Sequence, residues 1–327
     1  MQTEDTRPLM VSIRCMVYNH EPYLRDCLDG FVMQKTNFRF EAIVHDDAST
    51  DGSATIIREY AEKYPEIIKP IYETENQYSK HDGSLRRIMN EHTHGKYIAF
   101  CEGDDYWTDS SKLQKQVDFL EANPDYGVCY TNFEALEHAT GKVCNLNLSF
   151  KSGNCYEEMI KEQLSIWTLT NCMRTYLYFS MPQPNDTEMF KGDRFLFLHI
   201  CANSKVKFLP CKTARYRILE NSASHFTDKE KSVYFTYTLA NCIRWWLKNG
   251  PRVSKETYRH VATQCIGRRR IKYAIMANRL DVLQDTEYSF FWIGNVKDIL
   301  YCFVKLLCNN RRVFRIAVKV ISPLLKK

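Results

Sequence analysis

The stretch Tyr97-Ile98-Ala99-Phe100-Cys101-Glu102-Gly103-Asp104-Asp105-Tyr106-Trp107 joins a short apolar run to three carboxylates within four positions. The run reads as a buried strand, and acids gathered at its carboxyl end repel one another unless a cation sits between them. Ligands of an open α/β sheet bind at that end of the strands. The stretch therefore predicts a strand that delivers an acidic loop to a ligand site, with a divalent metal as the simplest counter-charge.

Working outward, residues 9 to 131 alternate short apolar runs with helical periodicity, which predicts an α/β fold with a largely parallel sheet. Strands are expected at Val11–Tyr18, Phe40–His45, Ile67–Tyr72 and Tyr97–Cys101. Helices fit between them: one from Pro22 to about Met33, one carrying Ile56, Ile57, Tyr60, Ala61 and Tyr64, and one after Thr108 or Asp109 with Leu113, Gln116, Val117 and Leu120 on one face. Residues 134 to 165 read as a mobile connection over the site. Beyond it, an apolar helix is expected from Asp193 to Ala202, a strand at Lys207–Leu209, and helices at Tyr234–Leu247 and around Ile271–Leu283.

The second strand runs into His45-Asp46-Asp47-Ala48-Ser49-Thr50-Asp51-Gly52-Ser53, a second acidic loop at a strand end. An EF-hand is excluded, because its twelfth position is Arg58 rather than a bidentate Glu and a strand precedes it. Capping of the next helix by Thr50, Asp51 or Ser53 explains part of the motif and leaves Asp46 and Asp47 unused. Two acidic loops at one sheet edge suggest a hard cation held by oxygen ligands and, through it, a phosphorylated substrate.

Val11-Ser-Ile with Tyr18-Asn19, then Asp46-Asp47-Ala-Ser-Thr-Asp51-Gly52-Ser53, then Gly95 through Asp105, resemble the nucleotide-sugar half of family 2 glycosyltransferases of the GT-A fold. The resemblance is strong over residues 9 to 132, weaker to about 225 and absent beyond. It implies that Tyr18 lies against the base, that Asp46 and Asp47 belong to the nucleotide-sugar site with Asp47 accepting from the base, that Asp104 faces ribose or metal, and that Asp105 binds Mn2+ or Mg2+. Glu102 stands at the first acidic place of the family's usual DxD. The family's general base sits at a helix start in the acceptor half, which points to Asp193 in Lys191-Gly192-Asp193-Arg194; capping of that helix is the other role for this residue. Arg217, within Arg215-Tyr216-Arg217, is expected at the diphosphate, and His225 as a further metal ligand or a surface residue.

Composition bounds the partners. The chain has 327 residues and a formal net charge of +6, but Val296–Lys327 carries eight Lys/Arg against Asp298 alone, so the rest sums to about −1. A general nucleic-acid surface is therefore not expected. The basic tail has apolar positions at helical spacing, which suits an amphipathic helix on an anionic inner leaflet or a helix packed on the body. Thirteen cysteines without a CxxC pair read as reduced thiols of a cytoplasmic protein, and the polar start Met1–Pro8 has no secretion signal. The expected organisation is a GT-A domain over 1–225, split into a nucleotide-sugar half at 9–132 and an acceptor half at 133–225, then a helical region over 226–327. The expected activity is inverting transfer from a nucleoside diphosphate sugar, most simply a UDP-sugar, to a glycan or lipid-linked glycan in surface polysaccharide assembly. A nucleotide-sugar-binding subunit without turnover and a nucleotidyltransferase are the alternatives, the latter lacking a Gly/Lys/Arg-rich triphosphate loop after the first strand.

Overall fold

The computed structural model describes residues 5–219, 228–279, 281–284 and 314. In chain order the elements are β1 (Leu9–Val17), α1 (Leu24–Val32), β2 (Arg39–Asp46), α2 (Ser53–Lys63), β3 (Ile68–Tyr72), α3 (Ser84–Glu91), β4 (Tyr97–Phe100), β5 (Tyr106–Trp107), α4 (Lys112–Ala122), β6 (Tyr126–Glu137) and β7 (Lys142–Cys144). They continue with α5 (Tyr156–Ile160), β8 (Asn171–Arg174), α6 (Thr175–Phe179), α7 (Asp193–Asn203), β9 (Lys205–Ile218), α8 (Lys229–Asn249), α9 (Lys255–His260), α10 (Arg268–Met276) and α11 (Asp281–Gln284). The chain divides into two compact units. The first comprises Met1–Cys155, Ser165–Met181 and Asn203–Glu220; the second comprises Tyr156–Leu164, Pro182–Ala202 and Asn221–Lys327.

The first unit is built on one sheet of order β3-β2-β1-β4-β8-β6-β9-β5, with β7 paired to β6. Strands β3, β2, β1 and β4 run parallel, so their carboxyl ends share one edge. Strand β1 lies between β2 and β4 and is covered on both faces, as interior parallel strands are. Its odd positions Val11, Ile13, Cys15 and Val17 pack with Leu28 and Phe31 of α1, Val44 of β2 and Leu113 of α4. Its even positions Ser12 and Arg14 are also buried, with Arg14 donating to Asn90 of α3 at 2.9 Å. Helix α1 buries Leu24, Cys27, Leu28 and Phe31, the spacing of a one-faced helix.

Before β4 the backbone at Gly95 passes so close to β1 that a Cβ there would lie 2.4 Å from the Ser12 nitrogen and 2.7 Å from the Val11 carbonyl carbon. Backbone cannot yield as a flexible side chain does. Gly95→Ala is expected to destabilise the fold by about 3 kcal/mol, read as a lowered urea midpoint.

One expectation about the strands is corrected and another extended. Residues 134 to 144 are not a loose connection: β6 continues to Glu137 and turns at Gly141, φ +68°, into β7. The strand expected at 207–209 is the fourteen-residue β9, in parallel register with β6 from Tyr126↔Lys205 to Glu137↔Ile218. Lysines and arginines interrupt its apolar pattern, and pairing to a strand some 80 positions away supplies what local pattern does not.

The second unit is helical. Phe195 of α7 packs against Trp245 and Trp246 of α8, with ring centres 5.4 and 5.3 Å away. Asp228 caps α8 by accepting from the amides of Glu230 and Lys231. The helix expected through Ile271–Leu283 ends instead at Met276. Asn278 adopts φ 53°, and the amides of Ala277 and Arg279 turn back onto Tyr273 and Ala274, the left-handed helix ending that Asn tolerates. No helix among the described residues is long and apolar enough to cross a membrane. The basic stretch 296–327 lies outside the described residues apart from Phe314.

Candidate active site

The end of β1 carries both acidic loops. The Asp47 amide donates to the Val17 carbonyl at 2.9 Å, and the Gly103 amide to the Met16 carbonyl at 3.1 Å. Asp46–Asp47 and Glu102–Asp105 thus flank the exit of one strand, with Tyr18, about half exposed, between them at its tip.

The Ser49–Ser53 segment fixes the turn that follows Tyr18. Asn19, held at φ 55°, donates its amide to Ser49 Oγ and accepts the Thr50 amide on its side-chain oxygen. The His20 amide donates to Ser53 Oγ, the Glu21 amide to Asp51 Oδ2, and the Gly52 amide to Glu21 Oε2, at 2.7 to 3.0 Å. The motif expected to cap α2 therefore spends its polar groups mainly on a second loop.

Asp47 is buried, and its two carboxylate oxygens accept the amides of Gln77 and Tyr78 at 2.6 and 3.0 Å. The loop after β3 is thereby tied to the loop after β2. Asp46, also buried, accepts the Ser49 amide at 3.4 Å.

In the other loop Asp105 is 5% exposed, and its Oδ1 accepts the Arg217 amide at 2.8 Å. Burial pushes its carboxyl well above the usual range and the Asp104 charge adds to this, while the Arg217 amide opposes it. Burial, then the Asp104 charge, raises Glu102 to about 8. A Cβ at position 103 would meet His20 Nδ1 at 2.7 Å, so a larger residue there would have to displace the His20 ring. That ring nitrogen is buried without a hydrogen-bond partner.

These acids fit a hard divalent cation. The ionised forms of Asp105 and Glu102 are disfavoured by burial and by the Asp104 charge, which a bound positive charge relieves. Among the described residues no group of three His, Cys, Asp or Glu side chains is assembled as a metal cage. Asp105 and Asp104 are the residues that would hold the cation, with Glu102 beside them.

Arg217, expected at the diphosphate, lies against the acidic loop. Its side chain is 4% exposed; Nη1 donates to the Asp104 carbonyl at 2.7 Å, Nη2 pairs with Asp26, and the guanidinium carbon lies 4.3 Å from the Tyr106 ring centre. Burial and these partners fix the guanidinium against the Asp104–Tyr106 loop. Arg215 pairs with Glu134 and with the Tyr106 hydroxyl. Asp193 opens α7 in the second unit, where its Oδ1 accepts the Arg194 amide at 2.7 Å. His225 lies outside the described residues. Sequence reasoning missed Asp26, which reads as an ordinary exposed residue of α1, and Gln77 and Tyr78, which act through their amides and leave no side-chain signal.

A parallel β3-β2-β1-β4 core, extended through the antiparallel β8 to the mutually parallel β6 and β9, with acidic loops at the core's carboxyl edge, is the GT-A fold. S. aureus TarS 1-349 in complex with UDP-GlcNAc matches with a TM-score of 0.58 at 16% identity, covering 97% of this chain and 86% of that one. The mannosyltransferase PcManGT from Pyrobaculum calidifontis, in complex with GDP-Man and Mn2+, matches at 0.54 and 14%, covering 98% and 89%. By sequence, the uncharacterized protein Rv1520 of Mycobacterium tuberculosis is 45% identical over 226 residues, which is 68% of this chain and 63% of that protein. The match thus spans under two thirds of that relative's length. The UDP-Glc:alpha-D-GlcNAc-diphosphoundecaprenol beta-1,3-glucosyltransferase WfgD of Escherichia coli is 26% identical over 228 residues, 68% of this chain and 82% of WfgD. The profile of Glycosyl transferase family 2 matches residues 12–181. The chain belongs to glycosyl transferase family 2.

Proposed function

We propose that this protein transfers a sugar, with inversion, from a nucleoside diphosphate donor, most simply a UDP-sugar, to a hydroxyl of a glycan or lipid-linked glycan during cell-surface polysaccharide assembly. The observation that carries the reading is the pair of acidic loops bonded to the end of β1, one of them holding carboxylates that burial and repulsion destabilise. Tyr18 offers an exposed aromatic face for the base at the tip of the same strand. The WfgD name, with its UDP-glucose donor and lipid diphosphate acceptor, supports donor and acceptor class.

In this mechanism Asp193 takes the proton of the acceptor hydroxyl as its oxygen attacks the anomeric carbon. The bond from that carbon to the diphosphate breaks, and the diphosphate leaves with the electron pair. Inversion follows from a single displacement. Asp105 and Asp104 would hold Mn2+ or Mg2+, which would supply positive charge to offset that developing on the diphosphate.

Release of nucleoside diphosphate from a panel of nucleotide sugars, with and without Mn2+, tests the reading. Asp193→Asn keeps an oxygen for the Arg194 amide and removes the base, so turnover should fall about 100-fold with the donor KM little changed. Tight donor binding with neither hydrolysis nor transfer to any acceptor would instead identify a binding subunit.

A further inference from the structure

We infer that Arg217 and Asp26 are positioning residues that lock the acidic loop in the geometry it needs to take up a cation; this rests on the reading above. Arg217 grips the loop at two consecutive residues. Its backbone amide donates to the Asp105 carboxylate at 2.8 Å, and its Nη1 donates to the Asp104 carbonyl at 2.7 Å. Both bonds come from one residue of β9, a strand in register with β6, so the loop is referenced to the sheet as well as to β1.

The guanidinium is itself held in place. Nη2 pairs with Asp26 on α1, and the rings of Tyr106 and Tyr23 lie 4.3 and 5.4 Å from its central carbon. Asp26 is about 60% exposed and Arg217 is 4% exposed, so the pair reaches from a buried cation to a carboxylate at the surface. Asp26 thereby orients Arg217, and Arg217 orients the loop. A planar fork is required, since a lysine offers a single point charge where the carbonyl and the carboxylate lie in different directions. Residues one step behind metal ligands commonly set affinity by fixing ligand orientation.

Mn2+ titrated into the full chain with UDP present, and with GDP in a parallel arm, gives a readout independent of turnover; free Mn2+ is followed by electron paramagnetic resonance. Arg217→Met and Asp26→Asn should each weaken Mn2+ binding about tenfold, and Asp26→Glu should restore most of it. Arg217 is buried, so its variant also challenges the fold; Asp26→Asn changes an exposed group and keeps the inference open to refutation. Wild-type Mn2+ affinity in folded Asp26→Asn and Arg217→Met, with Asp105→Asn abolishing binding, would overturn the positioning role and leave the metal reading standing. No Mn2+ binding by the unaltered chain with either nucleotide would overturn both.

Discussion

Asp105→Asn is expected to lower sugar transfer about 1000-fold, a loss of about 4 kcal/mol of transition-state stabilisation, without lowering the melting temperature. Asparagine keeps a side-chain oxygen for the Arg217 amide, so the hydrogen bond at 2.8 Å can persist while the charge is removed. The native carboxylate is 5% exposed, and burial together with Asp104 pushes its proton affinity up, so the neutral amide removes an electrostatic penalty from the folded state. Asp105→Ala makes the weaker test, because an orphaned Arg217 amide costs about 1–3 kcal/mol and confuses stability with chemistry. Steady-state transfer at saturating Mn2+ and a thermal melt, run on one preparation, separate the two. Activity within tenfold of the unaltered enzyme would remove Asp105 from the site.

The parts of this molecule legible in its sequence are those fixed by local pattern. The five apolar residues before Glu102, and the β1 positions from Val11 to Val17, announce interior strands because both of their faces are covered. The acidic loops announce themselves because carboxylates at strand ends have no packing role. Strand β9 was legible only at Lys207–Leu209. Its remaining length depends on β6, a nonlocal partner, and its alternation is broken by Lys212, Arg215 and Arg217.

The site was legible by residue type and less so by direction. Arg217 and Asp47 are charged residues in the segments that the family resemblance singles out. In the structure Asp47 accepts two backbone amides, and Arg217 faces Asp26 and the Asp104 carbonyl. Which way a side chain points is set by tertiary contacts that periodicity does not encode. The same limit conceals Lys112 at the start of α4.

Lys112 is fully buried. Its Nζ donates to Gln116 Oε1 at 2.8 Å and to the Asn171 carbonyl at 3.4 Å, and it lies 4.1 Å from the Trp107 ring centre. Burial pulls its pKa from 10.5 to about 8, against a smaller opposing influence of Cys172, Cys101, Cys129 and Cys211. Below about pH 8 the ammonium is protonated folded and unfolded, and the folded state bears the full penalty of burying it. Between about pH 8 and 10.5 the folded chain has released the proton while the unfolded chain retains it, so stability rises with pH. Across that window the unaltered protein should gain about 3 kcal/mol relative to Lys112→Met. Urea midpoints of both proteins, measured in steps from about pH 7 to about pH 10, read the difference. The lost hydrogen bond to Gln116 and the altered packing offset the two curves by a constant, and the buried thiols titrate in both, so only the change in their separation reports Lys112. Parallel curves would show that the ammonium reaches water or a counter-charge in solution; a curve for the unaltered protein that rises relative to that of Lys112→Met as pH increases from 8 identifies it as a charge held in the core.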